Sequence, residues 1–241
     1  MPLPKIATPT YELELPSTGQ KIEYRPFLVK EEKLLVLAME SEDQKTITRA
    51  IKEVLRSCIK TKGIKVENLP TFDIEFLFLN IRGKSVGEEV EVSVICPDDN
   101  TTTVDVSIPV DDIQVTKTKD HIDTIKLDDE LSMKMKYPSL DQFIETNFEV
   151  GGTQGSQLEQ SFELIASCID TIFSEEEAWT TAECSKKEMS DFLGQLSSSQ
   201  FKDVEKFFET MPKLSHEISV TNPKTKKKSK VTLEGLASFF G

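Results

Sequence analysis

The residues with the clearest potential for chemistry sit at two proline-containing turns. In the first, Cys96-Pro97-Asp98-Asp99-Asn100 links "EVSVI" to "TTTVDV"; in the second, Asn222-Pro223-Lys224-Thr225 opens the run "NPKTKKKSK". Turns of this kind are where zinc ribbons place their knuckles, which need Cys or His ligands from both turns to complete a set of four. Cys96 is such a ligand, but three residues later stands Asp99, and the second turn offers none. Bound zinc supplies roughly 10–16 kcal/mol to the folding of small ribbons. Turns without its ligands must instead be held by packing on the rest of the fold. We expect no metal and no other cofactor.

The second turn carries a different potential. Five lysines, Lys224, Lys226, Lys227, Lys228 and Lys230, fall within seven residues. A cationic turn can contact phosphates, with a salt slope of roughly 0.9 per contact in log affinity. This one has no aromatic residue to stack a base and no arginine to read a base edge. A solvated turn, a contact to an acidic protein surface and a contact to nucleic acid stay open, in that order of preference. The formal net charge of −13 weighs against general nucleic-acid binding, because most of the surface would repel a phosphate backbone. The tip of the first turn, with Asp98 and Asp99, has the opposite sign.

Nothing else in the chain assembles a reaction centre. There are two histidines, His121 in a polar connection and His216 at the start of the last strand, and neither has a motif partner. Nucleophile elbows, HExxH, phosphate-binding loops and dinucleotide fingerprints are missing from the sequence. Glu175-Glu176-Glu177 and Asp111-Asp112 read as helix-start and loop charge, and Trp179 as a packing or interface anchor. We expect a protein that is not an enzyme. The four cysteines are far apart, as in a reducing compartment. No signal peptide is expected, and no apolar run approaches the roughly 18 residues of a membrane span.

The elements that must position these turns follow from periodicity. "TYELELPSTGQKIEYRPF" alternates as a β-hairpin around Pro16–Gly19. Two helices follow, the second with a predicted Ser41/Gln44 capping box and a buried face of Ile47, Ile51, Val54, Leu55 and Cys58. "TFDIEFLFLNIRGKSV" alternates like a strand yet is apolar on both parities; a Thr71 cap and early acids favour a buried helix. From Glu88 the period becomes two, giving the first turn's hairpin, and a further strand pair is expected between Asp112 and Tyr137. A short helix over "SLDQFIETNF" and a flexible "GGTQGSQ" junction come next. The stripe Leu158, Phe162, Ile165, Ile169 and Ile172 predicts one helix, and two or three short helices fill 175–211, with capping-box spacing at Ser174, Ser185 and Ser197. The last hairpin and a helical "LEGLASFF" close the chain.

The two turn-bearing hairpins match each other. Both read Glu, β-branched residue, Ser, Val, two residues, Pro, polar turn, returning Val, with seven residues from Pro97 to Val104 and eight from Pro223 to Val231. Duplication of one unit and chance similarity both stay open on this pattern alone.

Three stretches, "RPFLVKEEKLL", "FLFLNIRGKSVGE" and "MPKLSHEISV…VTLEGLASFF", together with "PTYELELPSTG", resemble the T4-type phage baseplate protein family, in order and over essentially the whole chain. The resemblance implies a baseplate hub component or hub assembly factor of T4-like phages. It would bind other hub or tape-measure proteins, in the virion baseplate, in the host cytoplasm during assembly, or in both. It also implies Cys-Pro-x-Cys knuckles at both turns in relatives. This chain keeps only Cys96-Pro97 and Pro223, so the implied ligand set does not carry over.

The expectation is an α+β fold, a helical core carrying two or three β-hairpins with degenerate zinc-ribbon-like turns. Its regions would be 1–150 and 151–241, the latter ending in the basic hairpin. The candidate partner contacts are Asp98, Asp99, Lys224, Lys226, Lys227, Lys228, Lys230, Phe239 and Phe240, with burial of the two phenylalanines in their own domain as the alternative for that pair.

Overall fold

The computed structural model describes residues 6–142, 157–181 and 183–239. The chain forms two compact units that are not consecutive in sequence, Met1–Thr116 with Lys213–Gly241, and Lys117–Pro212. The second unit is an insertion. The chain leaves the first unit after Thr116 and re-enters at Lys213, and these two residues are partners in one antiparallel strand pair. A boundary at residue 150 falls outside the described residues, as do most of the helix expected over "SLDQFIETNF" and all but the last residue of the "GGTQGSQ" junction, Gln157, which begins a helix.

The first unit opens with the hairpin β1 (Tyr11–Glu14) and β2 (Lys21–Tyr24). Helices α1 (Val29–Glu40), α2 (Gln44–Cys58) and α3 (Thr71–Val86) follow. Asp43, not Ser41, caps α2: its side chain accepts the Thr46 amide hydrogen. The predicted face of α2 turns inward, with Val54, Leu55 and Cys58 fully buried. The α3 segment is a helix and not a strand, capped at Pro70 instead of Thr71. It buries Phe72, Ile74, Leu77, Phe78, Leu79 and Ile81, the all-round apolar habit of a core helix.

Helix α3 is the spine of this unit. The Asp73 carboxylate accepts hydrogen bonds from the Ser17 amide, at 3.0 Å, and the Ser17 hydroxyl, which fixes the β1–β2 turn. Ser85 Oγ accepts the Phe27 amide hydrogen at 2.9 Å. Glu75 Oε1 accepts that of Leu236 at 3.1 Å. Gly83 lies where an added Cβ would come within 3.2 Å of Val110.

Strands β3 (Glu89–Ile95) and β4 (Thr103–Pro109) form the first turn-bearing hairpin. Strand β5 (Gln114–Thr116) joins β10 (Lys213–Thr221) and β11 (Lys228–Glu234) in a three-stranded sheet, ordered β11-β10-β5. One core lies beneath both hairpins. Val90, Val92, Val94 and Ile108 from one meet Leu214, Ile218, Val220 and Leu233 from the other, with Leu79 of α3 and Phe239 among them. Phe239 belongs to a terminal 3-10 turn, Leu236–Phe239, rather than an α-helix.

The second unit is a four-stranded antiparallel sheet, ordered β6 (Thr124–Lys126), β7 (Ser132–Met135), β8 (Ile169–Phe173) and β9 (Ala178–Thr180). Its helices are α4 (Gln157–Ser167), α5 (Lys186–Leu193) and α6 (Ser198–Thr210). The helix expected to run through Ile172 therefore stops at Ser167, and Ile169 to Phe173 is a strand. The Ser185/Glu188 and Ser197/Gln200 capping boxes open α5 and α6 as expected. Ser174 caps no helix: its hydroxyl accepts the Glu177 amide hydrogen in the turn between β8 and β9. Ile125, Met133, Cys168, Ile169, Leu193, Val204 and Phe207 are the fully enclosed part of this core.

Candidate functional site: the paired hairpin turns

The two Pro turns adopt one backbone design. In the first, the Asn100 amide donates to the Cys96 carbonyl at 2.9 Å, and in the second the Lys226 amide donates to the Asn222 carbonyl at 2.9 Å. Each of these donors has a left-handed backbone, φ 53° at Asn100 and 63° at Lys226. The closing bonds differ by one residue, Cys96 N–H to Thr102 carbonyl against Asn222 N–H to Lys227 carbonyl. The register changes the pairing suggested by sequence. Val106, opposite Val92, corresponds to Val231, opposite Ile218, while Val104 corresponds to Ser229.

The turns are fastened to each other through Asp98. Its Oδ1 accepts from Asn222 Nδ2 at 3.0 Å, and its Oδ2 from the Thr225 hydroxyl. Asn222 is almost fully buried, and its own oxygen accepts the amide hydrogens of Lys224 at 2.8 Å and Thr225 at 3.3 Å. Asp99 folds onto its own turn, accepting the amides of Thr101 and Thr102 at 3.1 and 3.0 Å and the Thr102 hydroxyl at 2.5 Å. Both carboxyls are held below the ordinary range, Asp98 by Thr225 and Asn222, and Asp99 chiefly by Thr102. Burial pushes the Cys96 thiol up. At the four knuckle positions stand Cys96, Asp99, Asn222 and Thr225, and hydrogen bonds tie the two turns. Among the described residues no three His, Cys, Asp or Glu side chains are grouped to hold a metal ion.

The candidate contacts separate accordingly. Lys224, Lys226, Lys227 and Lys228 are exposed. None of these four forms an ion pair among the described residues. Lys228 opens β11 beside the turn, and Lys230, two residues further along that strand, pairs with Glu217 at 2.7 Å. Asp98 and Asp99 face the turns themselves, and the cross-turn partners of Asp98 are Asn222 and Thr225 instead of the lysines. Phe239 is fully buried in the core and is no surface contact. Phe240 lies outside the described residues.

Two features were missed in the sequence. Helix α1 exposes Val29, Val36, Leu37 and Met39; the signal was the run "LLVLAM", too apolar for only one face of a helix to be buried. The other is the ion pair of Arg25 with Glu31 at 2.9 Å, both nearly buried, inside "RPFLVKEEKLL". Arg25 also donates to the Pro26 carbonyl at 2.8 Å, and Glu31 accepts the Leu28 amide hydrogen at 2.8 Å. That pair pins the hairpin β1–β2 to the start of α1 and explains why those residue types sit at that spacing.

Comparison with protein families matches residues 8–241 to the family described as T4 bacteriophage base plate protein. Comparisons with curated proteins and with solved structures find no match. No helix among the described residues is long and apolar enough to cross a membrane. With the match running from the first hairpin through the lysine turn to the last residue, the chain belongs to the T4-type phage baseplate protein family.

Proposed function

We propose that this baseplate protein is a hub component or hub assembly factor that works by stoichiometric protein–protein binding during contractile tail assembly. The observation that carries the reading is the lysine turn. Four lysines without ion-pair partners among the described residues, three on the turn and Lys228 at the first residue of β11, end a hairpin whose turn is fastened to its neighbour by Asp98. Fixing the backbone beforehand lowers the ordering cost of a contact made by such flexible side chains. The exposed apolar residues of α1 add a second surface suited to a partner. The partners would be other hub or tape-measure proteins, met in the host cytoplasm during assembly and, for a structural part, kept in the virion.

The reading includes no catalysed reaction. His121, the best-placed candidate base, has both ring nitrogens engaged, Nδ1 with Thr210 and Nε2 with Tyr137, each at 3.0 Å. A nucleic-acid adaptor is the competing use of the lysines, and the turn's lack of aromatic and arginine side chains tells against it. The test compares infected-cell extract with finished virions. Presence in both, bound to hub proteins, marks a structural part; presence only in extract, bound to hub proteins, marks an assembly factor. A chain that binds DNA through these lysines and associates with no baseplate protein would overturn the reading.

A further inference from the structure

We propose that the partner surface for the lysine turn is a second copy of this chain, which offers the acidic outer face of its β3–β4 ribbon. The inference rests on the reading that the lysine turn binds a polypeptide, and it names which one. Strands β3 and β4 bury Val90, Val92, Val94 and Ile108 on one side. The opposite side is exposed and carries Glu89, Glu91 and Asp105, with Ser93 and Ser107 between them. Ser107 donates to Glu89 and Ser93 to Asp105, both at 2.6 Å. Among the described residues no lysine or arginine forms an ion pair with any of the three carboxylates. The equivalent face of the other hairpin is different: Glu217 pairs with Lys230 and Glu234 with Lys213.

The chain cannot satisfy the far part of this face, Glu89 and Glu91, with its own lysine turn. Asp98 fixes that turn at the Cys96 end of the ribbon. Glu91 and Glu89 lie five and seven residues further down β3, or roughly 16 and 23 Å at about 3.3 Å per residue. Asp98 and Asp99 offset part of the positive field of the turn, but their oxygens are taken by neutral donors, and an excess of positive charge remains.

Lys226 adds an independent argument. Its left-handed backbone is one that asparagine adopts readily and lysine does not, and the same position of the twin turn is Asn100. The turn alone does not call for lysine there, and a local conformational cost of this kind points to use of the side chain. Two different patches meeting between copies make a head-to-tail contact, which propagates as a ring or a filament instead of closing as a pair. The net charge of −13 opposes association at long range. At about 0.1 M salt that repulsion is screened within roughly 10 Å, while ion pairs in contact persist.

The experiment mixes isotope-labelled and unlabelled copies of the full chain at about 0.1 M salt and joins touching amines and carboxylates with a zero-length carbodiimide cross-linker. Expected are mixed-isotope links from Lys224, Lys226, Lys227 or Lys228 to Glu89, Glu91 or Asp105, falling at least about tenfold at about 1 M salt, where the screening length is roughly 3 Å. A variant with the four turn lysines changed to glutamate, and another with Glu89, Glu91 and Asp105 changed to lysine, should each lose the links alone and regain them when mixed. Far-UV circular dichroism verifies that both variants fold. Absence of mixed-isotope links in the wild-type chain, links indifferent to the charge swaps, or no recovery on mixing would overturn the proposal. Any of these would leave the protein-binding reading of the turn standing, because that reading fails separately, in tail assembly with the lysines neutralised.

Discussion

Changing Glu31 to glutamine removes one charge from a pair that has largely left water: the Arg25 and Glu31 side chains are 9% and 5% exposed. The guanidinium then stays buried without a counter-charge. Breaking such a pair from one side costs about 3–5 kcal/mol. Glutamine can still accept one hydrogen bond, from Arg25 or from the Leu28 amide, and a bond to a charged group is worth about 1.5–3 kcal/mol. We therefore expect Glu31→Gln to destabilise the first unit by about 2 kcal/mol and Glu31→Ala by about 4 kcal/mol, against total domain stabilities of about 5–15 kcal/mol. The assay is urea unfolding followed by far-UV circular dichroism, because the single tryptophan, Trp179, reports on the second unit. Slopes of about 1–3 kcal/mol per molar urea convert the glutamine cost to a midpoint shift of about 1–2 M. The double variant Arg25→Met/Glu31→Leu should recover most of the loss, since apolar replacement removes the desolvation problem with the pair. Acid gives a further check. Burial pushes the Glu31 carboxyl up, but Arg25, the Leu28 amide and Lys30 outweigh it and hold it below its ordinary value. Its stabilisation is thus present above the ordinary glutamate range, about 4.3, and disappears as pH falls through the folded value, so wild type and Glu31→Gln should converge there. A loss below about 0.5 kcal/mol at neutral pH, the scale of an exposed pair, would refute the reasoning.

Three other outcomes are expected. Asn222→Ala should raise amide exchange at residues 222 and 226 several-fold by cutting the link to Asp98 and the turn bonds at Lys224 and Thr225; unchanged exchange would mean the link does not organise the turn. The Thr210 hydroxyl donates to the Lys206 carbonyl at 2.6 Å, so His121 must donate from Nδ1 and accept the Tyr137 hydroxyl at Nε2. Burial and then Lys117 lower its pKa, so the second unit should lose stability as pH drops below about 6.5, and NMR titration of the ring should give a midpoint below that value, not above it. Among the thiols, half-buried Cys184 should react first with an aromatic disulfide reagent. Cys58 and Cys168, buried and pushed up to about 11 and about 12, should react only on unfolding, and early labelling of either would show that its core opens.

The elements carried by strong local signals were legible in the sequence. Helix α3 was one, because residues apolar on both parities over a long run fit a buried helix better than a strand. The misread strand β8 has a specific cause. The register between β7 and β8 slips at Lys134/Met135, so Met135 pairs with Ile169 and Lys134 with Thr171. That irregularity turns both Ile169 and Ile172 into the core, and their spacing of three imitates a helix. The insertion was invisible because its signature is the pairing of β5 with β10 across the whole second unit. At the site, the sequence supplied the twin Pro turns and the exposed lysines. It could not supply Asp98 as the link to Asn222 and Thr225, since that contact joins side chains more than a hundred positions apart. Nor could it tell Phe239 of the core from a surface anchor, since apolar character alone does not say which face is covered.

The most direct test of the account is tail assembly in infected cells supplied only with a chain in which Lys224, Lys226, Lys227 and Lys228 are glutamine. All four side chains are exposed, so the variant should fold and unfold like the wild type. It should nevertheless lose its association with other baseplate proteins, and baseplates should fail to complete. Baseplates formed at wild-type yield with the neutralised turn would contradict the account.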